Sequence, residues 1–323
     1  MPCHIARYRN SSAGETGWAV VSDGFYKLEG HYPDTRALIN EGREQAFHIA
    51  ADSSAYQSQK LDDSDIELLS PITTPCRVIC QGSNYPQSRA ETGMDPYDRS
   101  FNTLFHKSDA SISEPNTDIV IPSHIKLLDY EIEMAVVVGK DIQQPVTLNA
   151  NNIGDYVAGI VMVHDVTARD VQLPQVQYFK GKSYRTFGPT GPYLCLLNND
   201  EMHYLSEMNL TLSLNDELRQ TDQSGNMLFK PPETLSELSE ITHLSTGDIV
   251  LTGSPGGAAM TVPPAPLVKL LGLLPEKVKW KAFVKKQSGN PRYLKEGDKV
   301  ESRIVSQDGK IDLGVQRNRV RAG

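Results

Sequence analysis

Asp129-Tyr130-Glu131-Ile132-Glu133-Met134-Ala135-Val136-Val137-Val138-Gly139 reads as a β-strand. Residues two apart in a strand share a face. Tyr130, Ile132, Met134, Val136 and Val138 therefore form one wholly apolar face. Glu131 and Glu133 share the other face with Ala135 and Val137, which places the two glutamates near a buried edge. Like charges there repel, and desolvation adds to the cost of each; a cation between them removes both penalties. A second run, Gly159-Ile160-Val161-Met162-Val163-His164-Asp165, reads as a buried strand that ends on a third carboxylate, Asp165. Three carboxylates make an all-oxygen site suited to Mg2+, Mn2+ or Ca2+ rather than to zinc or copper. By spacing alone, E-x-E in a strand also reads as a solvated face, and Asp after a strand as a turn or a helix cap.

Outward from this segment the chain keeps the same texture. Short apolar runs bounded by Gly, Pro, Asn and Asp recur at Val78–Cys80, Tyr156–His164, Leu210–Leu214, Ile249–Leu251 and Lys299–Val305. Such frequent strands predict an α+β, mainly β fold. A helix is predicted over Pro232–His243, where Leu235, Leu238 and Ile241 have helical spacing. Residues 1–70 differ: β-like pieces at Ile5–Tyr8 and Trp18–Val21, a helix around Asp34–Glu44, and a polar linker from Ser53 to Asp65. We therefore divide the chain into a small N-terminal domain, 1–70, and a larger β-rich domain, 71–323, with a Pro-, Lys- and Leu-rich insertion at about 258–292 that carries a short helix.

Composition narrows the function. The chain has 323 residues, 39% of them hydrophobic, enough for a sizeable core. A net charge of −8, with both signs scattered, repels nucleic acid rather than attracting it. No apolar run reaches membrane-spanning length; the most apolar late segment, Leu267–Leu274, is short and contains Lys269. The N-terminus has no signal-peptide pattern, so a cytoplasmic protein is expected. Of Cys3, Cys76, Cys80 and Cys195, only Cys76 and Cys80 are close, and C-x3-C in a strand is neither a zinc knuckle nor a redox pair.

With these motifs in place, the chain resembles the fumarylacetoacetate hydrolase superfamily. Asp129–Lys140 resembles the family segment D-Y-E-x-E-L-A-V-V-I-G-K, and His164–Gln172 resembles N-D-V-S-A-R-D-x-Q. Gly181–Pro192 is similar to G-K-S-F-D-T-F-x-P-x-G-P, Gly247–Pro255 to G-D-x-I-x-T-G-T-P, and Leu294–Glu301 to L-K-x-G-D-x-V-E. The resemblance implies a mixed β-roll core with a small N-terminal domain, usually in a homodimer. It implies Glu131, Glu133 and Asp165 as metal ligands, Lys182 beside the substrate oxygens, and Thr252 and Gln172 as hydrogen-bond partners of a small oxo acid or diketone. Arg169 fits the family motif and reads equally as a structural ion-pair residue.

One loop departs from the pattern. Where the hydrolases often carry N-Y-x-D-H-x-x-E, this chain has Asn84-Tyr85-Pro86-Gln87-Ser88-Arg89-Ala90-Glu91. Tyr85 and Glu91 remain as candidate substrate-binding and catalytic residues. Ser88 stands where the water-activating histidine would be, and a serine hydroxyl cannot replace imidazole near neutral pH. His106 and His164 are the nearest substitutes, each also readable as a structural histidine. Arg185, where the family often has Asp, is a candidate for a second substrate carboxylate or a solvated turn residue. The first expectation is a metal-dependent hydrolase of a carbon–carbon bond in an acylpyruvate-like or other 1,3-dicarbonyl compound. A 2-oxo acid decarboxylase or keto–enol isomerase on the same scaffold is the alternative, and a non-catalytic ligand-binding protein the third.

Overall fold

The computed structural model describes residues 1–261 and 274–323. Its main sheet has eleven strands. Nine follow one path of hydrogen-bonded neighbours: β3 (Phe25–Lys27), β2 (Thr16–Val21), β1 (Cys3–Asn10), β13 (Gly188–Leu196), β11 (Val157–His164), β10 (Ile132–Val138), β16 (Ile249–Leu251), β5 (Val78–Gly82) and β6 (Thr103–Lys107). β4 (Ile66–Leu69) pairs with β1, and β7 (Ile112–Ser113) with β13. A five-stranded sheet runs β15 (Glu217–Gln223), β14 (Met208–Leu214), β17 (Lys299–Ser306), β18 (Asp312–Ala322) and β8 (Ile119–Ile121), and β9 (Leu128–Asp129) pairs with β12 (Thr167–Ala168). The fold is α+β and mainly β.

β10 and β11 are buried along their whole length. A strand covered on both faces needs a continuous apolar run, and that is what Val136-Val137-Val138 and Ile160-Val161-Met162-Val163 supply. Ile132, Met134, Val136, Ile160 and Met162 pack in one core with Leu210 and Leu212 of β14 and Ile304 of β17. Ala135, Val137, Val161 and Val163 pack on the opposite face in a second core with Ile5, Val20, Leu38 and Ile49. Both predicted faces of the 129–139 segment are thus present, each filled by a different layer.

The N-terminal segment belongs to the second layer. Asp34 accepts the Ala37 N–H and starts a helical stretch that passes through a π turn, Leu38–Gly42, into the helix Arg43–Ala51. Its helix therefore runs beyond the predicted end at Glu44. The polar stretch after it forms two short 3-10 turns, Ser53–Gln59 and Asp63–Asp65. β1 lies between β2 and β13, with Cys3 opposite Leu196 and Ile5 opposite Leu194, so the main sheet crosses the boundary drawn at residue 70. The predicted helix near 232–243 spans Pro231–Ile241. The insertion contains the helix Glu276–Gln287; residues 262–273, which include most of the apolar segment 267–274, lie outside the described residues. Among the described residues no helix is long and apolar enough to cross a membrane.

Candidate active site

The sheet register assembles the carboxylates. β10 and β11 are antiparallel, with Ile132 opposite His164 and Glu133 opposite Val163, so the start of one strand meets the end of the other. The Asp165 N–H continues the ladder by donating to the Glu131 carbonyl at 2.8 Å. One carboxylate oxygen from each of Glu131, Glu133 and Asp165 lies within 4.8 Å of the others. Glu133 and Asp165 are buried, while the Glu131 side chain keeps 15% of its exposure.

Two of the three carboxylates have cationic partners. Asp165 accepts from Lys107 Nζ at 2.6 Å and also from Lys182 Nζ. Glu131 accepts from Lys182 Nζ at 2.5 Å and from Arg169 at 2.6 Å. Arg169 also donates to Asp129 at 2.8 Å and to the Gln172 side-chain oxygen at 2.9 Å. Asp129 is fixed from behind by the Ala259 N–H at 2.7 Å. Thr167 bridges the group, accepting from Lys182 at 2.8 Å and donating to the Asp165 carbonyl at 3.0 Å.

Glu133 differs: its hydrogen bond comes from the Gly253 N–H at 2.8 Å, and no cation bonds it among the described residues. Gly253 has φ +87°, and a Cβ there would stand 2.7 Å from the Asn84 Cβ, so glycine permits both the turn and the close approach that aim this N–H. Burial raises the Glu133 carboxyl well above its ordinary range, and the Asp165 charge adds to the rise. Glu131 is also pushed up by burial, but Arg169 and then Lys182 outweigh it and carry the group down to about 2. Lys182 is pushed down by burial, yet Asp165 and Glu131 more than reverse this, so its ammonium stays protonated.

The donor set fits a hard divalent ion. It offers three clustered carboxylate oxygens, one of them buried without a cationic partner. Once Glu133 is ionised to bind a metal, Asp129, Glu131, Glu133 and Asp165 oppose three cations, Lys107, Arg169 and Lys182. A divalent charge turns that balance positive, which suits an anionic ligand.

Glu131 and Glu133 face a cavity of about 430 Å³, together with Lys182, Arg169 and Gln172. Ser88 and Glu91, on the helix Pro86–Glu91, line it as well. Glu91 is held in place by Gln87 Nε2 at 3.0 Å and the Gly257 N–H at 2.7 Å. The other expected residues sit elsewhere. Thr252 is buried and its hydroxyl donates to the Met134 carbonyl at 2.7 Å; its neighbour Ser254 reaches the cavity instead. Tyr85 is buried outside the lining, and its hydroxyl has no partner among the described residues. Arg185 and His106 are exposed and line no part of the cavity. His164 is fully buried, its ring nitrogens have no partner among the described residues, and burial, followed by the Lys107 charge, lowers its pKa to about 3.

Lys107 and Asp129 were not singled out as site residues by the sequence. Lys107 follows the candidate His106 and points to the opposite face, a buried lysine that strand alternation could have flagged. The aromatic wall formed by Trp280 and Phe283 lies in the insertion, where no motif guides the reading.

Comparison with known proteins follows the same lines. Residues 77–321 match the profile of the fumarylacetoacetate (FAA) hydrolase C-terminal family. The chain is 31% identical over 289 residues to a rat (Rattus norvegicus) protein named oxaloacetate tautomerase Fahd2a, mitochondrial, covering 89% of this chain and 80% of that one. The human protein named oxaloacetate tautomerase FAHD2A, mitochondrial, is 29% identical over 290 residues, with the same coverage of 89% and 80%. Among solved structures, the fumarylacetoacetate hydrolase of the psychrophile Exiguobacterium antarcticum superposes with a TM-score of 0.74 at 26% identity, covering 99% of this chain and all of that one. The family match runs over most of the chain, the fold agrees with it, and the chain belongs to the fumarylacetoacetate hydrolase family.

Proposed function

We propose that this chain is a metal-dependent keto–enol isomerase of a 2-oxo acid. One observation carries the reading: Glu91 is the single carboxylate lining the cavity besides Glu131 and Glu133, and no imidazole lines it among the described residues. Hydrolysis of a carbon–carbon bond needs an activated water, for which a carboxylate alone is a weak base. A keto–enol shift needs only a proton moved between neighbouring atoms. The relatives named as oxaloacetate tautomerases support the same choice.

Glu131, Glu133 and Asp165 would hold the ion, Mg2+ or alternatively Mn2+ or Ca2+, which when bound supplies Lewis-acid stabilisation of negative charge on the 2-oxo oxygen. Lys182 sets its ammonium between Glu131 and Asp165, where it adds a positive field at the same oxygen. Gln172 has its carboxamide oxygen occupied by Arg169, which leaves its NH2 to donate to the substrate carboxylate. Glu91 accepts the proton from C3 and returns it to the 2-oxygen: one C–H bond breaks, one O–H bond forms, and nothing is consumed. The active form, as the family resemblance implies, is a homodimer, to be checked by light scattering.

The test follows the ultraviolet absorbance of the enol for oxaloacetate and other 2-oxo acids, with added magnesium or manganese and with chelator. Metal-dependent interconversion without loss of carbon is the expected result. Cleavage of an acylpyruvate into two acids, one carrying oxygen-18 from solvent, would establish the hydrolase reading instead. Carbon dioxide release would establish a decarboxylase.

A further inference from the structure

We propose that Trp280 and Phe283 make this pocket selective for 2-oxo acids that carry an aromatic-sized apolar group and no second carboxylate. The inference rests on the isomerase reading above and names its substrate class.

The cavity has two unlike ends. Around Glu131, Glu133, Lys182 and Arg169 it is charged. Much of the remaining wall is apolar, and two pairs of rings contribute to it, one beside Lys182, whose Nζ lies 5.7 Å from the Phe105 ring centroid, and one on the insertion helix. Phe105 and Tyr178 stand with ring centroids 4.7 Å apart. Trp280 and Phe283, one turn apart on the helix Glu276–Gln287, meet edge to face at 5.7 Å and 86°. Met94, Leu173 and Met260 also line the cavity.

The helix is anchored rather than draped. Gln287 is buried and donates to the Thr261 carbonyl at 2.9 Å, and Phe283 and Val284 pack on the main core. Trp280 Nε1 donates to Glu276 at 2.6 Å, which fixes the indole. Lys279 is the one cation at this end of the cavity among the described residues, and Glu276 already pairs it at 2.5 Å. A second carboxylate on the ligand would share that ammonium with Glu276, which repels it, and would be desolvated beside rings, and both cost affinity. An apolar group of ring size gains contact with the Trp280 and Phe283 rings. A volume of about 430 Å³ falls in the range of pockets that enclose drug-sized ligands, so a four-carbon diacid leaves much of it empty.

The experiment compares 3-cyclohexyl-2-oxopropanoate with oxaloacetate, in wild type, W280A and W280F, all with magnesium. Turnover is read from enol absorbance. Binding is read separately from tryptophan emission, because Trp280 is one of two tryptophans and the other, Trp18, is buried in the N-terminal segment. The cyclohexyl acid is expected to have at least about tenfold higher kcat/KM than oxaloacetate and to shift the emission to the blue, a shift that vanishes in W280F. W280A should lose about tenfold on the cyclohexyl acid, chiefly in KM, and stay within about twofold on oxaloacetate, with W280F restoring most of the loss. Preference for oxaloacetate, or an equal fall on both substrates in W280A, would overturn the proposal while leaving the isomerase reading intact. Tight, Trp280-reported binding of the cyclohexyl acid without turnover would uphold the selectivity and sink the isomerase reading. Silence in both assays would sink both.

Discussion

Glu133 is the residue on which the centre turns. Folded and metal-free, it holds its proton at pH values where the unfolded chain's glutamate, near 4.5, has lost it. The folded state then binds more protons, so the contribution is present at low pH and lost as pH rises through the raised pKa. Glu131 works in the opposite sense: its folded pKa, about 2, lies below 4.5, so its stabilisation is present above 4.5 and lost as pH falls toward 2. Glu133→Gln mimics the protonated acid. In chelator its thermal stability should gain on wild type as pH rises from about 5 to 8, followed by scanning calorimetry. Its metal affinity should fall about 100-fold or more by calorimetric titration, with turnover lost. Parallel stability profiles for the two proteins would remove Glu133 from its assigned role. Glu91→Gln should slow isomerisation about 100-fold or more with metal binding unchanged, a loss measured in enol absorbance. Ser88 lines the cavity on the helix that bears Glu91, so Ser88→His should open hydrolysis of an acylpyruvate. If no acid product appears, the missing imidazole does not separate this chain from the hydrolases.

Among the elements, those whose burial follows an apolar period were legible: β10, β11, β14, β16 and the helix Pro231–Ile241 all lie where their patterns place them. β18 was not read, because its inward face is polar. Gln316 and Asn318 are buried there, Gln316 donating to the Pro189 and Gly191 carbonyls at 3.1 and 2.8 Å and Asn318 to those of Pro115 and Thr117 at 3.0 and 2.8 Å. Long-range partners pay for that burial, and no local period announces them. The helix Arg169–Gln175, which carries Arg169 and Gln172 to the site, ends on Val176 at φ +52°. A β-branched residue is strained in the left-handed region. Val176 is 76% exposed and packs little, so Val176→Asn should stabilise the protein by about 1 kcal/mol, read as a rise in urea midpoint at constant m-value. A fall in midpoint would mean that the side chain has contacts its exposure does not suggest.

Across the whole molecule, the first seventy residues are a layer of the fold. Ile5, Val20, Leu38 and Ile49 cover the face of the main sheet that bears Ala135, Val137 and Val161. The Arg43 guanidinium donates to the Leu197 carbonyl at 2.5 Å, tying the N-terminal helix to the segment after β13. We propose that residues 71–323 do not fold cooperatively alone, since removing the layer exposes that apolar face and the β13 edge together. A chain beginning at residue 71 should lack near-ultraviolet circular dichroism and a sharp thermal transition; a cooperative transition would show the boundary at 70 to be a true domain limit.

The sequence by itself determined the strands with an apolar period and the β-rich class, because alternation acts on neighbours along the chain; for Glu131, Glu133 and Asp165 spacing left a solvated face and a turn open, and the family motifs pointed to them as a group. It also showed which expected group was missing, since Ser88 is visible in the motif without any coordinates. Tertiary structure decided which side chains meet. Lys107 reaches Asp165 across 58 positions and Gly253 reaches Glu133 across 120, while Thr252 spends its hydroxyl on a strand carbonyl and Arg185 points to solvent. Those outcomes depend on register and on where an insertion folds back, and neither leaves a periodic trace in one chain.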